Sequence, residues 1–453
     1  MDKEDKRIYT LKEEKPFKAV VRMGVPLILG MFVMVFYNLV DTYFIGLLKD
    51  DYQLAAVNLA YPVMMMTVAL SNIVGTGASS HIARCIGAKE VHTAEETLTA
   101  AFVMCIIGGA AVTLTGLLFL DGIVRGLGAM DNTFVYTRKY VLVILIGTVF
   151  TMGNYISGAL LRGEGSVKYS MLGMVVGTVV NIILDPLFIF TFRMEIAGAA
   201  IATVLGNVCG AAVSVMLYAC GKTLLVPRKA YIRPRIAIVS EIFRVGIPAA
   251  LETLLTSAAY IVNNNLAVAY GELTVAAMGV AQKILSFGNY IYQGFASGTQ
   301  PLMGYNYGAK NYRRMRDILK AGMITVSCTE LAVMAVYGAF APFLIGIFTQ
   351  TEEVILIGTK VLRTVMFILP FVGITSMSRM SFQAMGKPSK AFIITVIRQG
   401  ALYIPLLLLL NRLFGFDGMI RAQPITEFIM MIVSSLLLFG LIADEEKKCT
   451  NKQ

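Results

Sequence analysis

Residues 24–46 read GVPLILGMFVMVFYNLVDTYFIG, and residues 246–271 read GIPAALETLLTSAAYIVNNNLAVAYG. Each is an apolar run long enough to cross a bilayer, for which roughly 20 residues suffice. Each opens on Gly-x-Pro, and the two starting glycines stand 222 positions apart. Two more pairs keep an offset near 222: GTGASSHIARCIGAK (75–89) with ASGTQPLMGYNYGAK (296–310), and GALLRGEGSVKYS (158–170) with SFQAMGKPSKAF (381–392). A chain that repeats at this distance reads as two copies of one membrane bundle.

Composition agrees. Of 453 residues, 57% are hydrophobic and 15% charged, and mean hydropathy is +0.71. About 258 apolar positions are enough for about twelve spans. This argues against a soluble enzyme, a disordered chain and a disulfide scaffold. The runs do not alternate polar and apolar, which disfavours a membrane β-barrel. The expected spans are 17–47, 54–80, 94–120, 132–157, 166–192, 195–220, 237–268, 274–301, 316–346, 353–382, 390–412 and 418–442. An all-α integral membrane protein follows, with twelve transmembrane helices in two six-helix repeats.

Lys and Arg set the orientation. With the N-terminus inside, inner segments hold about 26 of them and outer segments about 8, so both termini are expected in the cytoplasm. The net charge of +11 is then topological and calls for no nucleic acid. Both halves start inside, so the repeats are parallel, related by an axis along the membrane normal. The expected organisation is a cytoplasmic tail 1–16, a lobe 17–220, a basic linker 221–236, a lobe 237–442 and a cytoplasmic tail 443–453. Two similar bundles facing one another make a central cavity that can open to either side. No cleavable leader is visible in the polar first 18 residues, so span one is expected to act as the membrane signal. The six cysteines show no metal spacing and are expected to be free thiols.

GxGASxxIARxxGAK after span two, QPLMGYNYGAKNYRR after span eight and GEGS/GKPS after spans four and ten resemble the multidrug and toxic compound extrusion (MATE) family. QPLMGYNYGAK and YNLVDTYFIG are most similar to its bacterial MepA-like and DinF-like branch. The resemblance runs over about residues 15–440. It implies a MATE-like 6+6 bundle that exports organic cations and amphipathic drugs against inward flow of H⁺ or Na⁺.

Charged side chains at helix centres cost about 2.5–3.5 kcal/mol on insertion scales and need a reason. Asp41 lies six positions before the outer end of span one, and Asp185 seven before the outer end of span five. Asn181 shares a helix face with Asp185, and Thr203 lies eight positions into span six. At about 1.5 Å per residue all four sit roughly 9–12 Å below the outer surface. Two carboxylates close together in low dielectric cannot both stay ionised without a cation, and they titrate as a unit. A proton or Na⁺ relieves the repulsion, with Asn181 and Thr203 supplying neutral oxygens. Pro186 frees a carbonyl in the preceding turn. In the resembled family the N-terminal-lobe cation site uses an Asp on span one, an Asn and an Asp on span five and a Thr on span six, which match Asp41, Asn181, Asp185 and Thr203. At or near the repeat offset Asp41, Asp185 and Thr203 face Asn263, Leu408 and Gln423, so the C-terminal half lacks the carboxylates. The acidic C-terminal-lobe site of the NorM-like branch is not found in that branch's positions, and coupling is expected through the N-terminal half.

Glu252, Lys283, Glu330, Arg363, Arg379, Arg398 and Glu427 are further intramembrane charges. They either line the cavity or pair for packing, and Glu252 is the acidic candidate for substrate contact. Tyr37 and Tyr155 offer faces for cations, and Met31 and Met34 offer polarizable surface. Pro26 stands as a hinge or a static kink in span one. The expectation is a cation-coupled exporter of cationic or amphipathic compounds across the inner (plasma) membrane by alternating access, monomeric, with no cofactor beyond the coupling ion H⁺ or Na⁺. The rival is a lipid-linked oligosaccharide flippase of the same superfamily. It would want many intramembrane arginines, whereas Arg363, Arg379 and Arg398 are few. A diphosphate-handling enzyme would need an acidic cluster, and the tight pair Asp50–Asp51 lies in an outer loop.

Overall fold

The computed structural model describes residues 3–48 and 50–450. Within them the side chains of 3–5, 38, 39, 41–43, 46, 51, 449 and 450 lie outside the described set. Every regular element among the described residues is helical. A short helix, α1 (Lys3–Lys12), precedes α2 (Pro16–Gly46). Pro16 sits at the first helical position, where its missing N–H has no intrahelical partner to lose. Then come α3 (Asp51–Gly87), α4 (Val91–Leu118), α5 (Leu120–Gly126), α6 (Asp131–Ile146), α7 (Thr148–Gly163), α8 (Val167–Pro186) and α9 (Glu195–Ala219). The Asp50 side chain caps α3, accepting from the N–H groups of Tyr52 and Gln53 at 3.0 and 3.4 Å. The second half runs through α10 (Ile236–Val268), α11 (Glu272–Gly308), α12 (Tyr312–Gly346), α13 (Glu352–Val365), α14 (Ile368–Ala384), α15 (Pro388–Val396) and α16 (Tyr403–Thr450).

Eight helices among the described residues are long and apolar enough to cross a membrane, or up to ten if each bent pair is one span. One bent pair is α6 with α7, at 51°, and the other is α13 with α14, at 44°. The first bend falls at Gly147, where a Cβ would lie 2.2 Å from Val204 Cγ2, so only glycine lets the chain approach α9 there. The second precedes Pro370, which cannot return a bond to the Met366 carbonyl. The remaining two expected spans are α11, long enough but polar toward its end, and the run Pro388–Lys448, which is two helices. Gly415 breaks that run at φ 59° and ψ −139°, between the expected spans 390–412 and 418–442.

The sequence repeats are structural repeats. After α3, Lys89 adopts φ 64°, and after α11, Lys310 adopts φ 56°. In both closures the next N–H reaches back five residues, Glu90 to the Cys85 carbonyl and Asn311 to the Asn306 carbonyl, each at 2.8 Å. The GEGS and GKPS turns match likewise, with Gly165 at φ 83° and Gly386 at φ 65°.

The chain packs as two compact units, Met1–Ile28 with Leu251–Gln453, and Leu29–Ala250. Helices α2 and α10 therefore each give their first part to one unit and the rest to the other. The points of exchange, Ile28 and Ala250, are again 222 apart. Glycines fix both attachments. In the first unit, Cβ atoms at Gly294 and Gly298 would strike Ile28 and the Met23 backbone; in the second, one at Gly246 would lie 1.8 Å from the Ile73 carbonyl. The first unit is centred on an apolar cluster that includes Ile284, Tyr337, Leu362, Leu369 and Leu407. The second has a cluster with Ala56, Tyr140, Val141, Leu145 and Ile196. The linker holds to the second unit through Arg235, which pairs with Glu96 at 2.6 Å, and Arg228, which pairs with Glu95 at 2.7 Å. The buried Glu164 of GEGS accepts from the Leu225 N–H at 3.2 Å. The described cysteines, Cys85, Cys105, Cys209, Cys220 and Cys328, are free thiols.

Candidate functional site

Helices α8 and α9 meet through small residues. A Cβ on Gly177 would lie 2.8 Å from the Gly206 carbonyl oxygen, and one on Gly206 would lie 2.6 Å from the Gly177 carbonyl oxygen. A Cβ on Gly173 would lie 3.3 Å from the Gly210 carbonyl oxygen. Two G-x-x-x-G faces thus bring the backbones close, as small residues do where lipid gives no hydrophobic drive to helix association. One turn beyond Gly177 on α8 stands Asn181, and one turn beyond that Asp185. Across from them, three residues before Gly206, stands Thr203.

Asn181 and Asp185 are buried, at 3% and 0% exposure. The Asn181 amide donates to Asp185 Oδ1 at 3.5 Å and to the Thr203 hydroxyl at 3.4 Å. Tyr37 of α2 completes the contact, its hydroxyl 3.3 Å from the Thr203 hydroxyl. The cluster continues away from the carboxyl: Asn207 donates to the Thr203 carbonyl at 3.0 Å, and Asn154 of α7 donates to Asn207 Oδ1 at 3.0 Å. A Cβ at Gly210 would lie 2.6 Å from Asn154 Oδ1, so the glycine that lets α9 approach also makes room for this amide. Asn181 Oδ1 is buried without a hydrogen-bond partner among the described residues. It is a neutral oxygen with a free lone pair beside a buried carboxyl, the donor chemistry that suits a hard monovalent cation or a proton.

Pro186 follows Asp185 directly, and α8 passes into a π-helical turn, Leu187–Thr191. A proline removes one rung of the ladder, and such turns are frequent at functional sites. Asp41 belongs to α2, but its side chain lies outside the described residues. Among the sequence-derived candidates, Asn181, Asp185, Thr203 and Tyr37 therefore come together. Met31, Met34 and Tyr155 are partly buried. Pro26 lies inside α2, which runs through it unbroken. Asn154 and Asn207 were missed. Their signal was a polar side chain inside an apolar span, Asn207 four positions after Thr203.

The acidic candidate Glu252 is in the other unit and pairs with arginine: Arg379 lies 2.5 Å away and Arg398 3.8 Å away. Arg398 also pairs with Glu427 at 2.7 Å, and Arg363 donates to the Gly338 carbonyl at 3.2 Å. Glu330 is fully buried, and neither oxygen has a hydrogen-bond partner among the described residues. No group of three or more His, Cys, Asp or Glu among the described residues is placed to hold a metal ion.

Residues 26–187 and 248–409 each match the MatE family model. The chain is 30% identical over 437 residues to the multidrug export protein MepA of Staphylococcus aureus (strain MSSA476), covering 96% of each chain. A solved multidrug resistance MATE family transporter in an outward-facing conformation superposes with a TM-score of 0.93 at 30% identity, over 98% of this chain and 99% of that one. A MOP superfamily transporter from Pyrococcus furiosus, for which reversed polarity of the binding pocket is said to suggest a different function, superposes with a TM-score of 0.91 at 30% identity, over 97% and 99%.

Proposed function

This chain belongs to the MatE family, and from that premise we propose that it is a cation-coupled exporter of cationic and amphipathic drugs. The multi-pass helical membrane architecture is that of a transporter. Coupling is assigned to Asp41 and Asp185, with Asn181 and Thr203 as neutral donors to H⁺ or Na⁺. The observation that carries the reading is the buried Asp185–Asn181–Thr203–Tyr37 cluster, drawn from three helices of one unit in a chain so similar to a multidrug export protein. A cation entering there satisfies the carboxylate and weakens the hold on cationic cargo. The carrier then returns loaded with the cation and releases it inside. Cargo and coupling ion therefore have to compete for one carboxylate state, because a ligand shifts a conformational equilibrium only through unequal affinity for its states. The topological lobes 17–220 and 237–442, cytoplasmic termini, a plasma-membrane location and a monomeric carrier belong to the same proposal.

The flippase alternative asks for cationic side chains free to hold phosphate. Arg379 and Arg398 are instead matched with Glu252 and Glu427, which favours the drug exporter. The test is transport in everted vesicles under an imposed pH gradient, then an imposed Na⁺ gradient. Export driven by one gradient and lost in Asp41→Asn and Asp185→Asn supports the proposal. Export indifferent to both gradients, or unchanged in both variants, refutes it.

A further inference from the structure

The unit containing Leu251–Gln453 holds four neighbouring charges from four separate elements, three of them buried and the fourth, Glu252, with a side chain 19% exposed. Glu252 comes from α10, Arg379 from α14, Arg398 from the π-helical turn Ile397–Leu402 and Glu427 from α16. The geometry is specific to Glu252. Arg379 Nη1 lies 2.5 Å from its Oε2, and Arg398 Nη1 lies 3.8 Å from its Oε1, so each carboxylate oxygen faces its own guanidinium. Arg398 turns its other nitrogens to Glu427 Oε1, with both Nε and Nη2 at 2.7 Å. The side chains of Arg379 and Arg398 are 8% and 9% exposed, and that of Glu427 is 2% exposed. Tyr292 of α11 is a further titratable group within the field of all four. Positive and negative charges balance.

An acid inside a membrane span needs a counter-charge. At an ion-coupling site that charge is exchangeable, because the ion comes from solution and leaves again. At Glu252 it is covalently attached to the chain. A guanidinium stays protonated and cannot diffuse away. A proton or Na⁺ arriving at Glu252 would have to displace an arginine and leave it buried without its partner, which is strongly unfavourable.

We propose that Arg379 and Arg398 are tethered counter-cations that hold the acidic site of the C-terminal half permanently filled, and so confine ion coupling to the other half. This rests on the assignment of coupling to Asp41 and Asp185. It makes the arginines determinants of coupling specificity, and removing Arg379 should uncover a second, exchangeable cation site at Glu252.

The experiment measures thermal melting of the purified full chain against pH and against Na⁺ with choline as control. A cation that binds only the folded protein raises the midpoint in a saturable way. The charge-neutral double variant Glu252→Gln/Arg379→Gln should keep the cation response of the wild type. Arg379→Gln alone should gain a second response that persists when Asp41→Asn is added and vanishes when Glu252→Gln is added. Loss of the wild-type response in the double variant would overturn the proposal, as would absence of any gain in folded Arg379→Gln. If that single variant does not fold, the double variant decides alone. A wild-type response that survives both Asp41→Asn and Asp185→Asn, yet is untouched in the double variant, refutes the coupling assignment and leaves the tethered arginines standing.

Discussion

The side-chain amide of Asn181 lies 3.4 Å from the hydroxyl of Thr203 on the neighbouring helix. The same amide nitrogen reaches Asp185 one turn along its own helix. A single side chain therefore ties the buried carboxyl of α8 to α9, and through Thr203 to Tyr37 of α2. Thr203→Ser keeps the hydroxyl and should transport normally. Thr203→Val keeps the shape but loses the bonds. An interhelical hydrogen bond in a membrane averages about 0.6 kcal/mol and reaches about 1.7, so the apparent affinity for the coupling ion should fall roughly threefold to twentyfold in vesicle transport.

The close approach of α8 and α9 depends on glycine. Gly206→Ala would set a Cβ 2.6 Å from the Gly177 carbonyl oxygen, and no flexible side chain is there to yield. Overpacking of this kind costs about 1–3 kcal/mol. The variant should melt earlier and lose coupled transport together, because separating the helices also parts Asn181 from Thr203. Normal transport in Gly206→Ala would show that the site tolerates a wider spacing.

Competition between cargo and a proton has a definite sign. If cationic cargo binds the deprotonated carboxylates, its affinity falls as pH falls, by up to about tenfold per unit for one displaced proton. Equilibrium binding of a fluorescent organic cation to purified protein over a pH series reads this directly. Asp41→Asn and Asp185→Asn should each flatten the curve. For a Na⁺-coupled carrier, the same slope appears against Na⁺ concentration instead.

Glu330 occupies an apolar site. It is fully buried, its oxygens have no partner among the described residues, and the nearby Tyr337 hydroxyl donates to the Ile284 carbonyl at 2.6 Å. Glu330→Gln preserves the shape without any charge, so the melting midpoint should stay or rise. Glu330→Arg brings a permanent charge with no counter-charge and should abolish folded expression. A large drop in Glu330→Gln would show that the carboxyl does something the amide cannot.

Lys310 holds a left-handed backbone at φ 56°. That conformation costs a residue with a Cβ about 1–2 kcal/mol, and glycine avoids it. Lys310→Gly should raise the melting midpoint by a few degrees, less what glycine adds to the entropy of the unfolded chain. Lys89→Gly, at the matching turn, should behave alike.

The amino-acid pattern alone determined the membrane class, the repeat at 222 and the positions of the intramembrane charges. Apolar runs and charge asymmetry are local properties, and a duplicated chain keeps its turn residues in register. Asn181 and Asp185 were legible together because a spacing of four fixes two side chains on one helix face. What only the tertiary structure decided is which helices touch. Gly177 and Gly206 look like any glycines in sequence until their backbones meet. The pairing of Glu252 with Arg379 joins residues 127 positions apart, and no periodicity reports a contact between helices so distant in the chain. The exchange of the first parts of α2 and α10 between units was hidden for the same reason: the break falls inside two continuous helices, where hydropathy does not change and only packing does.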